Sequence, residues 1–320
     1  SLPTFTTLTV NGGAANQRCL VYNLLTTSYK PAPLSVGTLV STDTDFQDIT
    51  ITGAAAGTAV TRGGDRGGNT GITFPAGKTV YWNLAGAQNW SATGWATSSG
   101  GAPGVNNFPL PQDTAVFDNA GAAGTVTMDT AWIIGTMDAS ARTTAMTLAT
   151  GTQQPQIYGS WKLGTGMANN NTGTGQLNFI GRSATQTITC NGVLITQPIT
   201  FNGPSSTFLL GSDLKMLYSV TMTLTRGSFN ASNYNVDVGN VTVNSTMTAL
   251  NLGSGTWTLY GTSWGMQYYY TTAITSNLAT VNMVNNTTNN RTFSGGVATY
   301  KKLTIGGTLG TSTFTINHQN

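Results

Sequence analysis

Short runs of alternating polar and apolar residues dominate this chain from about residue 121 onward. Segments such as QLNFIG, TITCNG, PITFNG and VTMTLTRG carry this alternation and end in Gly or Asn-Gly. Alternation with a period of two places successive side chains on opposite faces of a β-strand. Glycine and Asn-Gly favour a turn after each run. The pattern therefore predicts a succession of short strands separated by turns.

The best-matched strands recur at a nearly constant interval. LNFIG covers residues 177–181, ITFNG covers 199–203 and TLTRG covers 223–227, so the intervals are 22 and then 24 residues. Such an interval is typical of a solenoid, in which each coil buries its apolar face against its neighbours. We predict an all-β chain whose residues 121–320 form a right-handed parallel β-helix, with repeats that can continue beyond residue 320.

A β-sandwich of antiparallel hairpins is the alternative fold, since it also consists of short strands and turns. Two features favour the solenoid. Asn and Thr are frequent inside the strands as well as at the turns, which suits ladders of like side chains between coils. The glycines that end these strands also do not form the two-residue loops that connect antiparallel hairpins.

Residues 1–78 predict an N-terminal β segment ahead of the repeats. TFTTLTV and CLVYNLL have the composition of strands. Pro31 and Pro33 favour an exposed or edge position for residues 28–41, because proline cannot donate to a sheet ladder. The two glycine pairs in residues 61–71 favour a flexible or tightly turned loop.

Few residues suggest metal or thiol chemistry. Asp43, Asp45 and Asp48 predict a solvated turn, with an isolated calcium site as the alternative, because the glycine and glutamate of an EF-hand loop are both missing. Cys19 and Cys190 predict two buried free thiols, with one disulfide as the alternative. We expect neither a metal nor a cofactor.

The composition limits the partners that this protein can be expected to bind. Only 7% of the residues are charged, and none is glutamate, whereas an average soluble protein has about 25% charged residues. Low charge favours permanent association over dispersal. The net charge of +3 is spread along the chain, without the basic cluster that nucleic-acid binding needs. No apolar run approaches the length of a membrane-spanning helix. We expect no nucleic-acid partner and no membrane insertion.

Residues 79–120 interrupt the regular pattern with a dense group of aromatic residues. This stretch holds Trp82, Trp90 and Trp95, followed by a Gly/Ser tract and FPLPQDTAVFDN. Aromatic side chains bury a large apolar area each and can close the end of a core. We predict a tryptophan-rich cap in which these three rings are buried.

The cap sequence also resembles a known group of proteins. WNLAGAQNWSATGW, SGG and FPLPQDTAVFDNAGAAGTVTMD are similar to the tryptophan-rich module of autotransporter-type passenger β-helices and of bacteriophage tail-fibre-like proteins. Residues 293–316, FSGGVATYKKLTIGGTLGTSTFTI, look like a β-helix repeat of the same proteins. The resemblance covers about residues 79–140 and 290–316, and it bears on the fold much more than on the function.

This resemblance implies a structural and adhesive virion appendage, such as a phage tail fibre or tailspike shaft, in the virion or another extracellular setting. We expect a homotrimer that contacts other virion proteins and a glycan of the host surface. Three alternatives stay open: a polysaccharide depolymerase tailspike, the passenger of a bacterial surface adhesin and a capsid-decorating protein.

Catalysis has little support in the sequence. The only histidine is His318, close to residue 320, where a frayed segment is favoured over an active site. Glycosidases need two carboxyl groups across the scissile bond, and Asp113 and Asp118 are the candidates nearest to such a pair. Their spacing of five places them on opposite faces of one strand, and turn capping is the preferred interpretation. We expect a protein without catalytic activity.

Exposed aromatic residues are the candidate ligand-binding groups. Tyr268, Tyr269 and Tyr270 are consecutive, so they cannot all face inward from one strand. With Trp264 they predict a surface that stacks on sugar rings or is buried in a subunit contact.

Overall fold

The fold is a parallel β-solenoid of about 12 turns, with 52% of its residues in strands and 1% in helix. The all-β solenoid is therefore confirmed, and the β-sandwich alternative is wrong. The right-handed winding and the segment boundaries at residues 78 and 120 stay predictions. The computed structural model describes residues 2–24, 30–170, 173–181, 184–266, 273–276, 278–284, 289–296, 298–307 and 313–317.

An N-terminal unit of parallel strands comes first and has its own small core, centred on Phe46, Ile49 and Ile51. Its sheets have the orders β1-β3-β5, β2-β4-β7 and β6-β8. The strands are β1 (Thr4–Asn11), β2 (Cys19–Tyr22), β3 (Ala32–Thr42), β4 (Thr44–Gln47), β5 (Ile49–Thr52), β6 (Thr58–Ala59), β7 (Gly64–Asp65) and β8 (Ile72–Thr73).

The rest of the chain, from Thr79 onward, is called the body. Its first strands are β9 (Thr79–Trp82), β10 (Gly86–Asn89), β11 (Trp95–Ala96), β12 (Thr114–Val116), β13 (Gly124–Thr127), β14 (Ile133–Ile134), β15 (Thr136–Ala139), β16 (Met146–Ala149), β17 (Gln156–Ile157), β18 (Trp161–Leu163), β19 (Met167–Asn170), β20 (Leu177–Phe179), β21 (Thr185–Thr189) and β22 (Leu194–Ile195). A short 3-10 turn covers Val105–Asn107.

The remaining strands of the body are β23 (Ile199–Leu210), β24 (Leu214–Met216), β25 (Thr221–Asn230), β26 (Val236–Val238), β27 (Asn240–Val243), β28 (Met247–Asn251), β29 (Thr256–Leu259), β30 (Ser263–Met266), β31 (Ala273–Thr275), β32 (Thr280–Met283), β33 (Arg291–Ser294), β34 (Lys302–Ile305) and β35 (Phe314–Asn317).

Three columns of stacked strands run along the body. The first column is β14-β17-β20-β23-β25-β27-β30-β33-β35, and the second is β9-β12-β15-β18-β21-β23-β25-β28-β31. The third column consists of β10-β13-β16-β19 and then β22-β24-β26-β29-β32-β34. The long strands β23 and β25 belong to both the first and the second column. Between these named strands, the pairing of β9 with β11 is the antiparallel one.

The register shows the repeat that the sequence predicts. Leu177 pairs with Ile199, and Ile199 pairs with Met222 in the next coil. One coil of the body therefore takes about 22 residues, a length typical of solenoid repeats.

An aromatic ladder occupies the core that the three columns enclose. The rings of Phe179 and Phe201 stack with centroids 5.0 Å apart, and Phe201 and Phe229 are 5.1 Å apart. The ladder continues through Trp257 and Trp264, whose centroids are 5.4 Å apart. Each aromatic contact contributes about 0.5–1.5 kcal/mol beyond the burial of its area, so the ladder ties successive coils together.

The three tryptophans of residues 79–120 are buried in this core, as predicted, whereas their role as a cap stays a prediction. Trp82, Trp90 and Trp95 are at most 1% exposed. The ring of Trp95 lies 5.1 Å from Trp82, 4.8 Å from Trp90 and 5.5 Å from Phe117, measured between centroids. Edge-to-face packing of aromatic rings is favourable, so these contacts stabilise the first coils of the body.

The edge position predicted for residues 28–41 is wrong, because β3 lies in the middle of its sheet. The reason is local. β3 pairs with β1 from Ser35 onward, whereas Pro33 faces only Thr50 of β5. The missing amide proton of Pro33 therefore falls where β3 has a neighbour on one side only.

The solvated turn predicted for the three aspartates is also wrong, since Asp43, Asp45 and Asp48 are at most 4% exposed. Two arginines explain the burial of the first two carboxylates. Arg18 Nη2 lies 2.6 Å from Asp45 Oδ1, and Arg62 Nε lies 2.6 Å from Asp43 Oδ1. A buried carboxylate needs such a paired cation to offset its desolvation.

The two cysteines are free, as predicted, and no disulfide joins them. Cys190 is buried, and this burial raises the pKa of its thiol to about 12. Cys19 is only half-buried, so the predicted burial holds for one thiol of the two.

The aromatic ladder predicts a large difference between neighbouring positions. We expect Phe201→Ala to lower the free energy of unfolding by about 3–5 kcal/mol, because it leaves a cavity between coils. Thr223→Ala, on the outward face of the adjacent strand β25, is the control and should change it by less than about 0.5 kcal/mol. Urea unfolding measures both values, and equal losses would contradict the ladder.

The buried ion pairs of the N-terminal unit predict a second contrast. Arg18→Met should cost about 3–5 kcal/mol, because Asp45 stays buried without its cation. The control is Lys162→Met, which removes the partner of Asp138 from a more exposed pair at 3.3 Å and should cost about 0–1 kcal/mol. Hydrogen exchange of peptides from β2, β4 and β7 reports the effect, and unchanged protection in Arg18→Met would refute it.

Candidate functional site

A groove of about 530 Å³ lies between β2 of the N-terminal unit and the first column of the body. The N-terminal unit supplies one wall and part of the floor, and three successive coils of the body supply the other wall. The residues that line it are Leu20, Tyr22, Gln47, Arg66, Gln154, Gln156, Tyr158, Asn178, Ile180 and Asn202.

Strand alternation determines which side chains reach the groove. In β20, Leu177 and Phe179 are buried in the core, so Asn178 faces outward. Gln156 of β17 pairs in register with Asn178, which lies in the next coil, so both amides face the groove. In β2, Leu20 and Tyr22 are the exposed positions, at 40% and 46% exposure. The two walls therefore present amide groups on one side and a phenol ring with a leucine on the other.

A hydrogen-bonded network around Arg66 forms the floor. The Arg66 side chain is almost fully buried, and its Nε donates to the Tyr158 hydroxyl at 3.1 Å. A terminal guanidinium nitrogen donates to Oε1 of Gln156, and the Tyr158 hydroxyl donates to Oε1 of Gln47 at 3.3 Å. The Arg66 guanidinium carbon also lies 5.6 Å from the centre of the Tyr158 ring. This network joins the N-terminal unit to the body.

Several polar groups of the groove have capacity for a ligand. Gln176 Nε2 donates to Asn178 Oδ1 and to Thr200 Oγ1, both at 2.6 Å, which fixes the orientation of the Asn178 amide with its NH₂ group directed away from Gln176. Oδ1 of Asn202 has no hydrogen-bond partner among the described residues, but it is enclosed and is not accessible to a ligand. Gln154 is exposed. The groove thus offers both donors and acceptors on neutral groups.

The electrostatics of the groove are those of a neutral site. None of the described lining residues is acidic, and the one charged residue, Arg66, is covered by Gln156 and Tyr158. Sites for small polar ligands combine apolar surface with a few placed polar groups. A flat phenol ring such as Tyr22 packs well against the apolar face of a sugar ring.

The structure places the catalytic candidates Asp113 and Asp118 away from this groove, one before and one after β12. Oδ1 of Asp113 accepts from the backbone amide of Lys78 at 2.9 Å, and Oδ2 accepts from that of Leu110 at 2.8 Å. Burial raises the pKa of the Asp113 carboxyl above its ordinary value, although both amides oppose this.

Asp118 has a similar structural role. Its Oδ1 accepts from the backbone amides of Ala120 and Gly121 at 3.1 and 3.0 Å. Both aspartates therefore cap turns, which confirms the preferred interpretation of their sequence context. The two carboxyl groups therefore accept hydrogen bonds from backbone amides at opposite ends of β12.

The structure tests the predicted aromatic ligand surface only at Trp264. Trp264 is fully buried, and its ring lies 5.4 Å from Trp257 and 6.2 Å from Phe293 between centroids. No face of this indole is available to a ligand in solution. Tyr268, Tyr269 and Tyr270 lie outside the described residues, as does His318.

Within the described residues, no group of three or more His, Cys, Asp and Glu residues is placed to hold a metal ion. The same residues include no helix that is long and apolar enough to cross a membrane.

Comparison with known proteins gives no functional assignment. No family model, curated protein or solved structure matches this chain. Function therefore has to be inferred from the geometry of the groove and of the solenoid that carries it.

Sequence reasoning did not find the groove residues, although part of the signal is present. Gln156 and Asn178 occupy the same outward position in consecutive repeats, so an alignment of the repeat sequences would have placed them side by side. Arg66 lies in the glycine-rich stretch that was predicted to be a loop. Nothing in its local sequence shows that it meets Tyr158, which is 92 positions away.

The Arg66 network predicts how the N-terminal unit is held on the body. We expect Arg66→Met to reduce the protection of β2 and β4 against hydrogen exchange by at least tenfold, because hydrogen bonds of a charged group contribute about 1.5–3 kcal/mol each. Lys30→Met changes an exposed cation of the same unit and serves as the control. Unchanged exchange in Arg66→Met would show that the network does not hold the unit.

Proposed function

We propose that this chain is a structural and adhesive subunit of an extracellular appendage, such as a bacteriophage tail fibre or tailspike. In this proposal the solenoid is a rigid shaft, and the groove binds a neutral glycan of the host surface. The observation that carries the proposal is the amide-lined groove, which a buried hydrogen-bond network holds open on the side of the shaft.

The solenoid suits a passive mechanical role. Its strands pair in register from coil to coil, and a continuous core of buried apolar residues runs from Val80 to Phe293. With 7% charged residues, the surface has little self-repulsion. Such a subunit favours permanent assembly, and we propose a homotrimer attached to other virion proteins.

The groove favours sugar over charged ligands. A pyranose presents hydroxyl groups that both donate and accept, and amide side chains supply the matching partners. Its axial C–H groups form an apolar face that can pack on the Tyr22 ring. A single open groove encloses only part of a sugar and would bind it weakly. Several copies on one appendage would raise the effective affinity through multivalency.

Binding without hydrolysis is the form of the proposal that the groove supports. Hydrolysis of a glycan requires two carboxyl groups across the bond that breaks. The described lining contains amides, two phenols, two aliphatic side chains and a covered guanidinium, and Asp113 and Asp118 cap turns elsewhere.

The test is binding of the purified chain to immobilised neutral oligosaccharides, measured beside a groove variant. We expect Tyr22→Ala combined with Asn178→Ala to weaken binding by at least tenfold, since a lost stacking contact and a lost hydrogen bond together cost about 1.5–3 kcal/mol. The matched control is Asn282→Ala, an outward asparagine on the third column. Equal binding by the groove variant, or equal weakening in the control, would contradict the proposal.

A further inference from the structure

Two tyrosines form a stacked pair on the surface of the body. The ring centroids of Tyr218 and Tyr260 are 3.9 Å apart, and the ring planes differ by 24°. Tyr218 is 59% exposed, and Tyr260 is half-buried. Among the ring contacts of the described residues, no other joins two tyrosines. The pair is therefore both close and accessible to a reagent in solution.

The coil geometry explains why these rings meet. Tyr218 follows β24 and Tyr260 follows β29, at the corner where the third column leads into the first. The register runs from Lys215 to Asp237 and from Asp237 to Thr258, so the two tyrosines are two coils apart. Adjacent strands are about 4.8 Å apart, which separates the two backbones by roughly twice that distance.

The intervening coil leaves space for the rings to lean together. Its corner consists of Gly239, which alone connects β26 to β27. A Cβ at this position would clash with the backbone carbonyl oxygens of Val220 and Tyr218 in the preceding coil. The close approach of the two coils therefore requires glycine here, and no side chain projects from this corner.

The stacking geometry brings the reactive carbons of the two rings close together. With centroids 3.9 Å apart and ring planes 24° apart, carbons of one ring lie against carbons of the other. Burial raises the pKa of Tyr260, and the negative charge of Asp237 acts in the same direction. The ortho carbons of the rings are the positions at which phenoxyl radicals couple.

We propose that Tyr218 and Tyr260 are a site of oxidative cross-linking, at which a peroxidase-type oxidant joins the two rings as dityrosine. Each phenol loses one electron and one proton and becomes a phenoxyl radical. The radicals form one carbon–carbon bond between ortho carbons, and each ring then moves its ortho hydrogen to oxygen. Overall the pair loses two hydrogen atoms, and one hydrogen peroxide is reduced to two water molecules.

Such a link would lock three coils at once. In a solenoid each coil contacts only its neighbours, so a local opening can spread along the stack. A covalent bond from the coil of Tyr218 to that of Tyr260 closes a long loop and restricts the unfolded chain. The proposal is independent of glycan binding in the groove, because it depends on different residues.

The experiment treats the dilute full chain with a haem peroxidase and hydrogen peroxide and measures its intact mass. We expect a loss of two hydrogen atoms per chain and, after tryptic digestion, a peptide in which Met216–Arg226 is joined to the fragment that contains Tyr260. Tyr218→Phe and Tyr260→Phe keep a stacked ring but lack one phenol, so each should lose this product. Tyr81→Phe is the control and should retain it.

Three results would overturn the proposal. The first is no loss of hydrogen in a chain whose circular dichroism shows that it is folded. The second is a linkage that maps to other tyrosines or joins separate chains. The third is a product that persists in both phenylalanine variants, because the cross-link would then not require the stacked pair.

Discussion

Each coil of this chain can bury its apolar face only against the coils before and after it. This constraint explains why the strands stack in register, and why the core side chains form a ladder in which Phe179, Phe201 and Phe229 contact one another in sequence. Nearest-neighbour stacking also makes the two ends of the solenoid special. At the start of the body, the indoles of Trp82, Trp90 and Trp95 pack together in the same core.

Because stacking uses the inward positions, the outward positions are available for other roles. On the first column they form the amide wall of the groove, represented by Gln156 and Asn178. At the corner before that column they allow Tyr218 to stack on Tyr260. The N-terminal unit adds what the repeat cannot produce by itself, a second wall and the buried Arg66 network that fixes it in place.

The sequence was sufficient to predict the elements that depend on local periodicity. The interval between LNFIG and ITFNG predicted the coil length, and the register of Leu177 with Ile199 agrees with it. The burial of the three cap tryptophans followed from their size. The turn-capping roles of Asp113 and Asp118 followed from their place beside a short apolar run.

Features that depend on distant partners could not be predicted in this way. The burial of Asp43 and Asp45 requires Arg62 and Arg18, which lie 19 and 27 positions away in the chain. The central position of β3 depends on where β1 begins to pair with it. The groove depends on the lateral packing of two units, and no repeat or motif specifies which coils meet.

The most direct measurement of the central claim is a structure of the chain determined with a neutral oligosaccharide at saturating concentration. The account predicts sugar density in the groove, with one ring against Tyr22 and hydroxyl groups at the amides of Asn178 and Gln154. Sugar density bound elsewhere on the solenoid, with an empty groove, would contradict it. A groove that is closed because the N-terminal unit does not pack on the body would contradict it equally.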